Sequence, residues 1–325
     1  MNELIQKITA SNGGVFTGQG TNTYLIGKKD ITLVDPGPNI PEHIEEILKA
    51  GSGKIKRILV THTHTDHSPA ALPISQELKI PMLGRLVDRE SDWEDETFKP
   101  DTVLNHGDVI STDEYSIEVI HTPGHASNHL CFYLKEINCL LTGDHIMDGS
   151  TVVIAPPDGN MTEYIDSLNL LNNYDIDYFA PGHGNFMSEP TKTIKSIIRH
   201  RLSRESKVLR CVEKDQNSNI DDLLPLVYDD VPEMLYPIAK MSLLAHLIKL
   251  VEDGKILSKD NLYSSSISSF LISINRVYNA TMLSSSVISP RSTCSRNSIL
   301  NKIICLIFFI YKNGCMIIFQ PFLQV

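Results

Sequence analysis

Arg57-Ile58-Leu59-Val60-Thr61-His62-Thr63-His64-Thr65-Asp66-His67 decides how this chain is read. An apolar run leads directly into H-x-H-x-D-H. In an extended segment, side chains at i and i+2 share a face, so His62 and His64 can point at one spot. Asp66 and His67 then come from the turn toward the next helix and can reach a second spot nearby. Imidazole nitrogen and carboxylate oxygen suit zinc. The paired cysteines usual in a structural zinc site do not stand here. Three imidazoles and a carboxylate in this order after a strand are far more specific than any single histidine. Further ligands are therefore expected downstream.

Three later segments repeat one pattern of strand end, glycine and ligand. Thr122-Pro123-Gly124-His125 follows an alternating run over 115–120. Thr142-Gly143-Asp144-His145 follows an apolar run over 139–142. Pro181-Gly182-His183-Gly184 follows a short run over 178–180. Glycine at such a junction permits a sharp turn and close backbone approach. Together these segments offer five histidines (62, 64, 67, 125 and 183) and two aspartates, Asp66 and Asp144. That is enough for two metals.

The remaining elements frame these segments. Runs at 23–27 and 31–35 read as a hairpin, preceded by a loop with Gly13, Gly14, Gly18 and Gly20 that reads equally as a flap or a plain mobile loop. Helices are expected over 41–50 and 68–79, with strands over 57–61, 81–85 and 130–134. Asn160 to Glu163 resembles a capping box opening a helix to about Leu171. Ser188 before Pro190 is read as the cap of a long helix to about Lys214, with a stripe of Ile194, Ile197/Ile198, Leu202, Val208/Leu209 and Val212. That helix carries eight Lys or Arg against Glu205 and Glu213. Helices over 220–228 and 233–252, the second with Leu235, Ile238, Leu244, Leu247/Ile248 and Val251 inward, precede a strand from Lys255. Helices before a β-ribbon suggest a small winged-helix-like module. The whole is read as α/β, a layered sandwich rather than a Rossmann wind, and no phosphate-binding glycine loop is present.

Composition narrows the class. The chain has 325 residues, 42% hydrophobic and 21% charged, with a formal net charge of −10. An acidic surface argues against nucleic acid or an anionic membrane as the main partner. Residues 261–325 hold five basic and no acidic residues, so residues 1–260 carry −15. The tail is serine-rich to residue 300, then strongly apolar over 303–311, about half the length that spans a bilayer. It reads as a poorly ordered product of frameshift or read-through, with a membrane-associating tail as the alternative. Cys131 and Cys139 are expected as buried free thiols in strands. With no apolar signal-peptide core at the start, a cytoplasmic protein is expected.

The motifs at 61–67, 122–125, 143–144 and 181–184, in this order, resemble those of the metallo-β-lactamase superfamily over about residues 8–190. The resemblance implies an αββα sandwich with the metals at one edge. It implies that His62, His64 and His125 bind one metal, that Asp66, His67 and His183 bind the other, and that Asp144 bridges them. Asp35, in Leu33-Val34-Asp35-Pro36-Gly37, matches the aspartate that family members place behind their ligands. Gly18–Tyr24, Gly149–Val153, Pro156–Gly159 and the Ala245–Leu250 stretch further resemble the beta-lactamase-like protein 2 family. That family adds a winged-helix-like module and includes a single-strand endoribonuclease. Ser68-Pro69-Ala70 stand where glyoxalase II has two glycines, which argues against its substrate.

The expected organisation is a catalytic domain over 1–189, a basic linking helix and module over 190–260, and the atypical tail over 261–325. The expected activity is hydrolysis by a metal-bound hydroxide, with Asp66 and Asp144 as catalytic residues. Zinc is the first choice of metal, manganese or iron the alternatives. Small-molecule esters or thioesters stand ahead of RNA as substrate. A non-catalytic metal-binding protein comes last, because all seven ligand positions are filled. Two neighbours, His129 and His145, are candidates for orienting a ligand or protonating a leaving group. Tyr24 and Asn22 are candidates for lining the pocket. No membrane partner is expected unless the tail is genuine, and the oligomeric state is left open.

Overall fold

The computed structural model describes residues 3–91 and 93–266. Two six-stranded mixed sheets form its centre. One runs β1 (Ile5–Thr9), β2 (Asn22–Ile26), β3 (Ile31–Val34), β4 (Ile55–Leu59), β5 (Met82–Gly84) and β6 (Thr102–Val103). The other runs β7 (Val109–Ser111), β8 (Ser116–His121), β9 (Leu130–Leu134), β10 (Cys139–Gly143), β11 (Tyr178–Pro181) and β12 (Met187–Ser188).

Parallel neighbours need crossovers, and crossovers put helices on sheet faces. Helix α1 (Pro41–Gly51) joins parallel strands β3 and β4, and α2 (Ala71–Leu78) joins β4 and β5. They bury Ile47 and Ile74 against Leu33 and Ile58. Helix α3 (Met161–Leu170) joins parallel β10 and β11 and buries Tyr164 and Leu168 against Leu140 and Phe179. Between the sheets Val34, Leu59, Val119, Phe132 and Leu141 pack together. The result is the αββα sandwich expected from the sequence. Strands covered on both faces lose alternation, and every residue of β2, β3, β9 and β10 is buried.

The C-terminal module comprises α5 (Ile220–Val227), α6 (Tyr236–Glu252) and the hairpin of β13 (Ile256–Lys259) with β14 (Leu262–Ser265). Helix α4 (Pro190–Lys214) serves both parts. Its Ile194 and Ile197 join the core beside α3, while Val208 and Val212 join the module core with Leu223, Leu243 and Leu250. A helical stretch over Glu233–Glu252 is long and apolar enough to cross a membrane; here it supplies the module core.

Several expectations shift. Strand β4 stops at Leu59 rather than Thr61, because the Thr61 N–H is taken by Asp35 Oδ1 at 2.7 Å. Helix α2 begins at Ala71 rather than 68, since residues 65–70 form turns. Ser188 does not cap α4: it pairs with Tyr178 in the sheet, and Glu189, at φ 68°, makes the turn without a side-chain cap. Asn160 does cap α3, but Glu163 pairs with Arg89 instead of closing the box. A complete capping box stands unpredicted at Asn219 and Asp222.

The buried stripe of α4 runs through Arg201 and Glu205, leaving Leu202 44% exposed. In α6 Leu243, Leu247 and Leu250 are buried, whereas Ile238, Leu244 and Val251 are only half-buried. That helix also buries Ala245 against the sandwich, so its inward face is wider than one stripe. The ribbon reaches Ser265, five residues past the expected boundary at 260. From 267 onward the tail lies outside the described residues. Cys131 and Cys139 are buried free thiols, as expected.

The turn that delivers His125 depends on Gly124, at φ 137°. A Cβ there would lie 2.3 Å from Tyr164 Cα. Gly124→Ala is expected to cost about 2–3 kcal/mol of stability, read as a lower urea midpoint at unchanged slope.

Candidate metal centre

Asp35 begins the site. Its Oδ1 accepts the Thr61 N–H, and its Oδ2 accepts Thr61 Oγ1 at 2.7 Å and His67 Nδ1 at 2.9 Å. With its proton given to Asp35, the Thr61 hydroxyl can only accept from His62 Nδ1, 3.0 Å away. His125 Nδ1 donates to the Val153 carbonyl at 2.8 Å, and His183 Nδ1 donates to the Gly20 carbonyl at 3.1 Å. In all four rings the Nδ1 partner turns Nε2 toward the centre. This is how ligating histidines are usually held.

The inward atoms form three overlapping groups: His62, His64 and His125; His62, His67 and Asp144; Asp66, His67 and His183. His64 Nδ1 lies 3.1 Å from both His62 Nε2 and His125 Nε2. Asp144 stands between the outer groups, with Oδ1 3.3 Å from His67 Nε2 and His183 Nε2, and Oδ2 3.8 Å from His125 Nε2. Asp66 Oδ2 faces His183 Nε2 at 3.2 Å and is steadied by the Thr21 hydroxyl at 2.9 Å. All seven expected donors therefore converge. Close backbone approach permits it: a Cβ on Gly182 would sit 2.7 Å from both Asp144 Oδ1 and His67 Cε1.

The charges divide the centre in two. Burial, followed by the neighbouring imidazoles, pushes His62 well down; burial, then His125, pushes His64 down to about 3. Burial likewise lowers His125. These three are neutral donors at pH 7. Burial also disfavours charge on His67 and His183, but Asp66 and Asp144 beside His67, and chiefly Asp144 beside His183, outweigh it. His67 is held well above its usual value and His183 at about 10. For Asp66, burial pushes the carboxyl up while His67 and His183 pull it down, to about 2.

The donor set fits divalent cations. His62 Nε2 and His125 Nε2, each with its Nδ1 proton donated elsewhere, turn lone pairs toward His64 Nδ1 at 3.1 Å, an arrangement that a cation between the three rings would hold. Asp144 Oδ1 is buried without a hydrogen-bond partner. Five imidazoles and two carboxylates are the ligand types of dinuclear hydrolytic sites.

The superfamily profile described as metallo-beta-lactamase matches residues 16–183, which include all seven donors. The chain belongs to the metallo-beta-lactamase superfamily. A beta-lactamase associated winged helix domain matches residues 220–264. The chain is similar to a beta-lactamase-like protein 2 homolog of Drosophila melanogaster, 31% identical over 263 residues, with 77% of this chain and 88% of that one covered. It is also similar to an atrochrysone carboxyl ACP thioesterase of Aspergillus chevalieri, at 28% identity over 78% of this chain and 82% of that one. A solved metallo-beta-lactamase family protein from Thermus thermophilus shares the fold, with TM-score 0.69 at 18% identity over 81% of this chain and 98% of that one. The expected superfamily, winged-helix module and hydrolase class therefore stand.

In this metallo-beta-lactamase fold the weaker site expectations divide. His129 Nε2 accepts the Asp144 N–H at 3.2 Å, and its Nδ1 meets Thr122 Oγ1 at 3.0 Å, so it orients the Asp144 backbone. His145 makes no side-chain hydrogen bond; it packs between the His129 and Tyr164 rings. Both are fully buried and neither is among the residues that line the cleft. Asn22 and Tyr24 do not line the cleft. They donate to the Pro181 carbonyl at 2.9 and 2.8 Å and anchor the segment before His183.

Five of the donors, His64, Asp66, His125, Asp144 and His183, line a cleft of about 480 Å³. Phe16, from the glycine-rich loop, and Trp93 lie at its rim with ring centroids 6.2 Å apart. Val231, Leu235, Ile238 and Met241 of the winged-helix region form part of its wall. His200 also lines it, although its place in the sequence carries no signal of a site. Glu94, 3.8 Å from His64 Nε2, is equally silent in the sequence, since it lies in an acidic loop without a recognisable motif.

Two substitutions test the centre. His62→Ala is expected to lower metal content after purification, measured by elemental analysis. Asp35→Ala leaves all seven donors in place and is expected to weaken metal affinity by about 10–100-fold, read by competition with a chromophoric chelator.

Proposed function

We propose that the chain is a dinuclear metallohydrolase acting on small-molecule esters or thioesters. The observation that carries this reading is that the donor cluster opens into a partly apolar cleft of about 480 Å³. His62, His64 and His125 would hold one ion, Asp66, His67 and His183 the other, with Asp144 between them. Such a pair, when bound, would lower the pKa of a shared water and polarise the substrate carbonyl. Zinc is the first choice, with manganese or iron also suited to these donors.

The chain's own groups position and exclude. Asp66 lines the cleft with a 26% exposed side chain, and with Oδ2 engaged its Oδ1 would be left to accept a hydrogen bond from water. The Thr21 hydroxyl fixes Oδ2 so that Oδ1 keeps its direction. Phe16 and Trp93 at the rim would shield a bound acyl group from bulk water, which strengthens the electrostatic interactions inside. The thioesterase named among the relatives supports thioesters as the first class to test. A cytoplasmic setting belongs to the same proposal and fits the free thiols.

A second reading, single-strand endoribonuclease, has one observation in its favour. Lys195, Arg199, Arg210 and Lys214 of α4 are exposed and could meet phosphates. Of the other four cations of that helix, three are ion-paired and one is buried. Lys192 pairs with Glu189, Arg204 with Asp230 and Lys207 with Asp229, while Arg201 bonds the Val152 carbonyl.

Metal-loaded protein offered a thioester panel and single-stranded RNA in parallel separates the two. Thioester turnover that falls to background with chelator and in Asp66→Ala is the expected result. RNA cleavage lost in Asp66→Ala, with no thioester turned over, would sink the small-molecule reading.

A further inference from the structure

Arg201 is 3% exposed, yet it lines the cleft. One guanidinium nitrogen, Nη2, donates to the Val152 carbonyl, and its carbon lies 5.2 Å from the Tyr164 ring centroid. Its Nε has no hydrogen-bond partner. Among the described residues no acidic side chain pairs with it. Glu205, one helical turn on, is committed to Lys249 and Lys255, each at 3.2 Å. Arg204 has its own carboxylate in Asp230 at 2.7 Å.

The groups around Arg201 register its charge. Burial first, then Arg201 and Arg204, push His200 down and His246 down to about 3. Guanidinium stays protonated under ordinary conditions, and a buried charge without a counter-charge is strongly unfavourable. The acidic side chains lining the cleft do not supply one. Asp66 and Asp144 belong to the donor cluster, and Asp158, whose Oδ2 accepts the Ser127 N–H at 2.9 Å, forms no ion pair with Arg201 among the described residues.

We propose that Arg201, flanked by His200 and Arg204, is an anion subsite in the cleft. The preferred substrate is then an acyl ester or thioester with a carboxylate or phosphate on the part remote from the scissile bond. This deepens the small-molecule hydrolase reading and rests on it. Arg201 holds the Val152 carbonyl, and the adjacent Val153 carbonyl holds His125; both valines line the cleft. Subsite and donor cluster are thus joined through one step of backbone. Val231, Leu235 and Ile238 supply an apolar wall for the substrate's middle.

The test compares valeryl, glutaryl and 4-phosphonobutyryl thioesters of one thiol on metal-loaded wild type. An anionic-to-neutral ratio in kcat/KM of at least about tenfold is expected, and the glutaryl and phosphonobutyryl arms tell carboxylate from phosphate. Arg201→Gln should bring that ratio toward one, and Arg201→Lys should restore part of it. His200→Glu, at an exposed cleft position, should lower the ratio by about tenfold and guards against misfolding of the Arg201 variants.

A binding arm does not need turnover. Glutarate and phenylphosphonate are titrated against Trp93 fluorescence in the same proteins. If no thioester is hydrolysed but both variants weaken anion binding by about tenfold, the subsite stands while the hydrolase reading falls. Equal hydrolysis of neutral and anionic thioesters, or anion affinities unchanged by Arg201→Gln and His200→Glu, overturns the subsite.

Discussion

The buried carboxylate of Asp35 is the constraint on which the rest of the centre depends. It is 2% exposed and receives three hydrogen bonds, two from Thr61 and one from His67. Taking the Thr61 N–H ends β4, because that amide is no longer free to continue the ladder. The chain then turns, and His62, His64, Asp66 and His67 can face one centre from six consecutive residues. The same carboxylate orients His62 through Thr61 and His67 directly. One side chain thus sets strand length, ring tautomer and the aim of two histidines.

Asp35 can do this only because the sandwich holds β3 and β4 side by side in parallel. The Asp35 N–H donates to the Leu59 carbonyl at 3.0 Å, so the two strand ends are locked before the side chain acts. Similar ties anchor the other sheet. Asn22 and Tyr24 of β2 bind the Pro181 carbonyl, and Gly20 receives His183. The donors therefore rest on backbone from both sheets, and the centre sits where the two sheets' strand ends meet.

This explains what is legible in the sequence. Donors that share a strand-to-loop junction carry their geometry in local spacing, as His62 to His67 do. His125, Asp144 and His183 each follow a glycine at a strand end, which is again a local signal. Helix faces in contact with two bodies are another matter. Spacing places Leu202 in the α4 stripe, but Arg201 and Glu205 are buried there, because polar partners come from segments distant in sequence: Val152, Lys249 and Lys255. His145 adjoins Asp144 in sequence, but its ring turns away into the packing against Tyr164. Nor can spacing alone show that winged-helix residues line a cleft that starts at the donor cluster.

Charge gives a similar lesson about the substrate. The net charge of the sequence and the eight cations of α4 point in opposite directions, toward a small-molecule hydrolase with an acidic body and toward a nucleic-acid surface. Neither total decides. A cation paired across the fold contributes little field to a ligand, whereas a buried cation without a partner contributes much, since low dielectric screens it weakly. Lys192, Arg204 and Lys207 are paired, and the free cations of α4 other than Arg201 are exposed to screening by salt. Arg201 alone on this helix combines burial, a place on the cleft wall and the lack of a carboxylate partner among the described residues. The helix that looks basic as a whole therefore concentrates its electrostatic influence at one point, inside the cleft and one backbone step from the residue that orients His125.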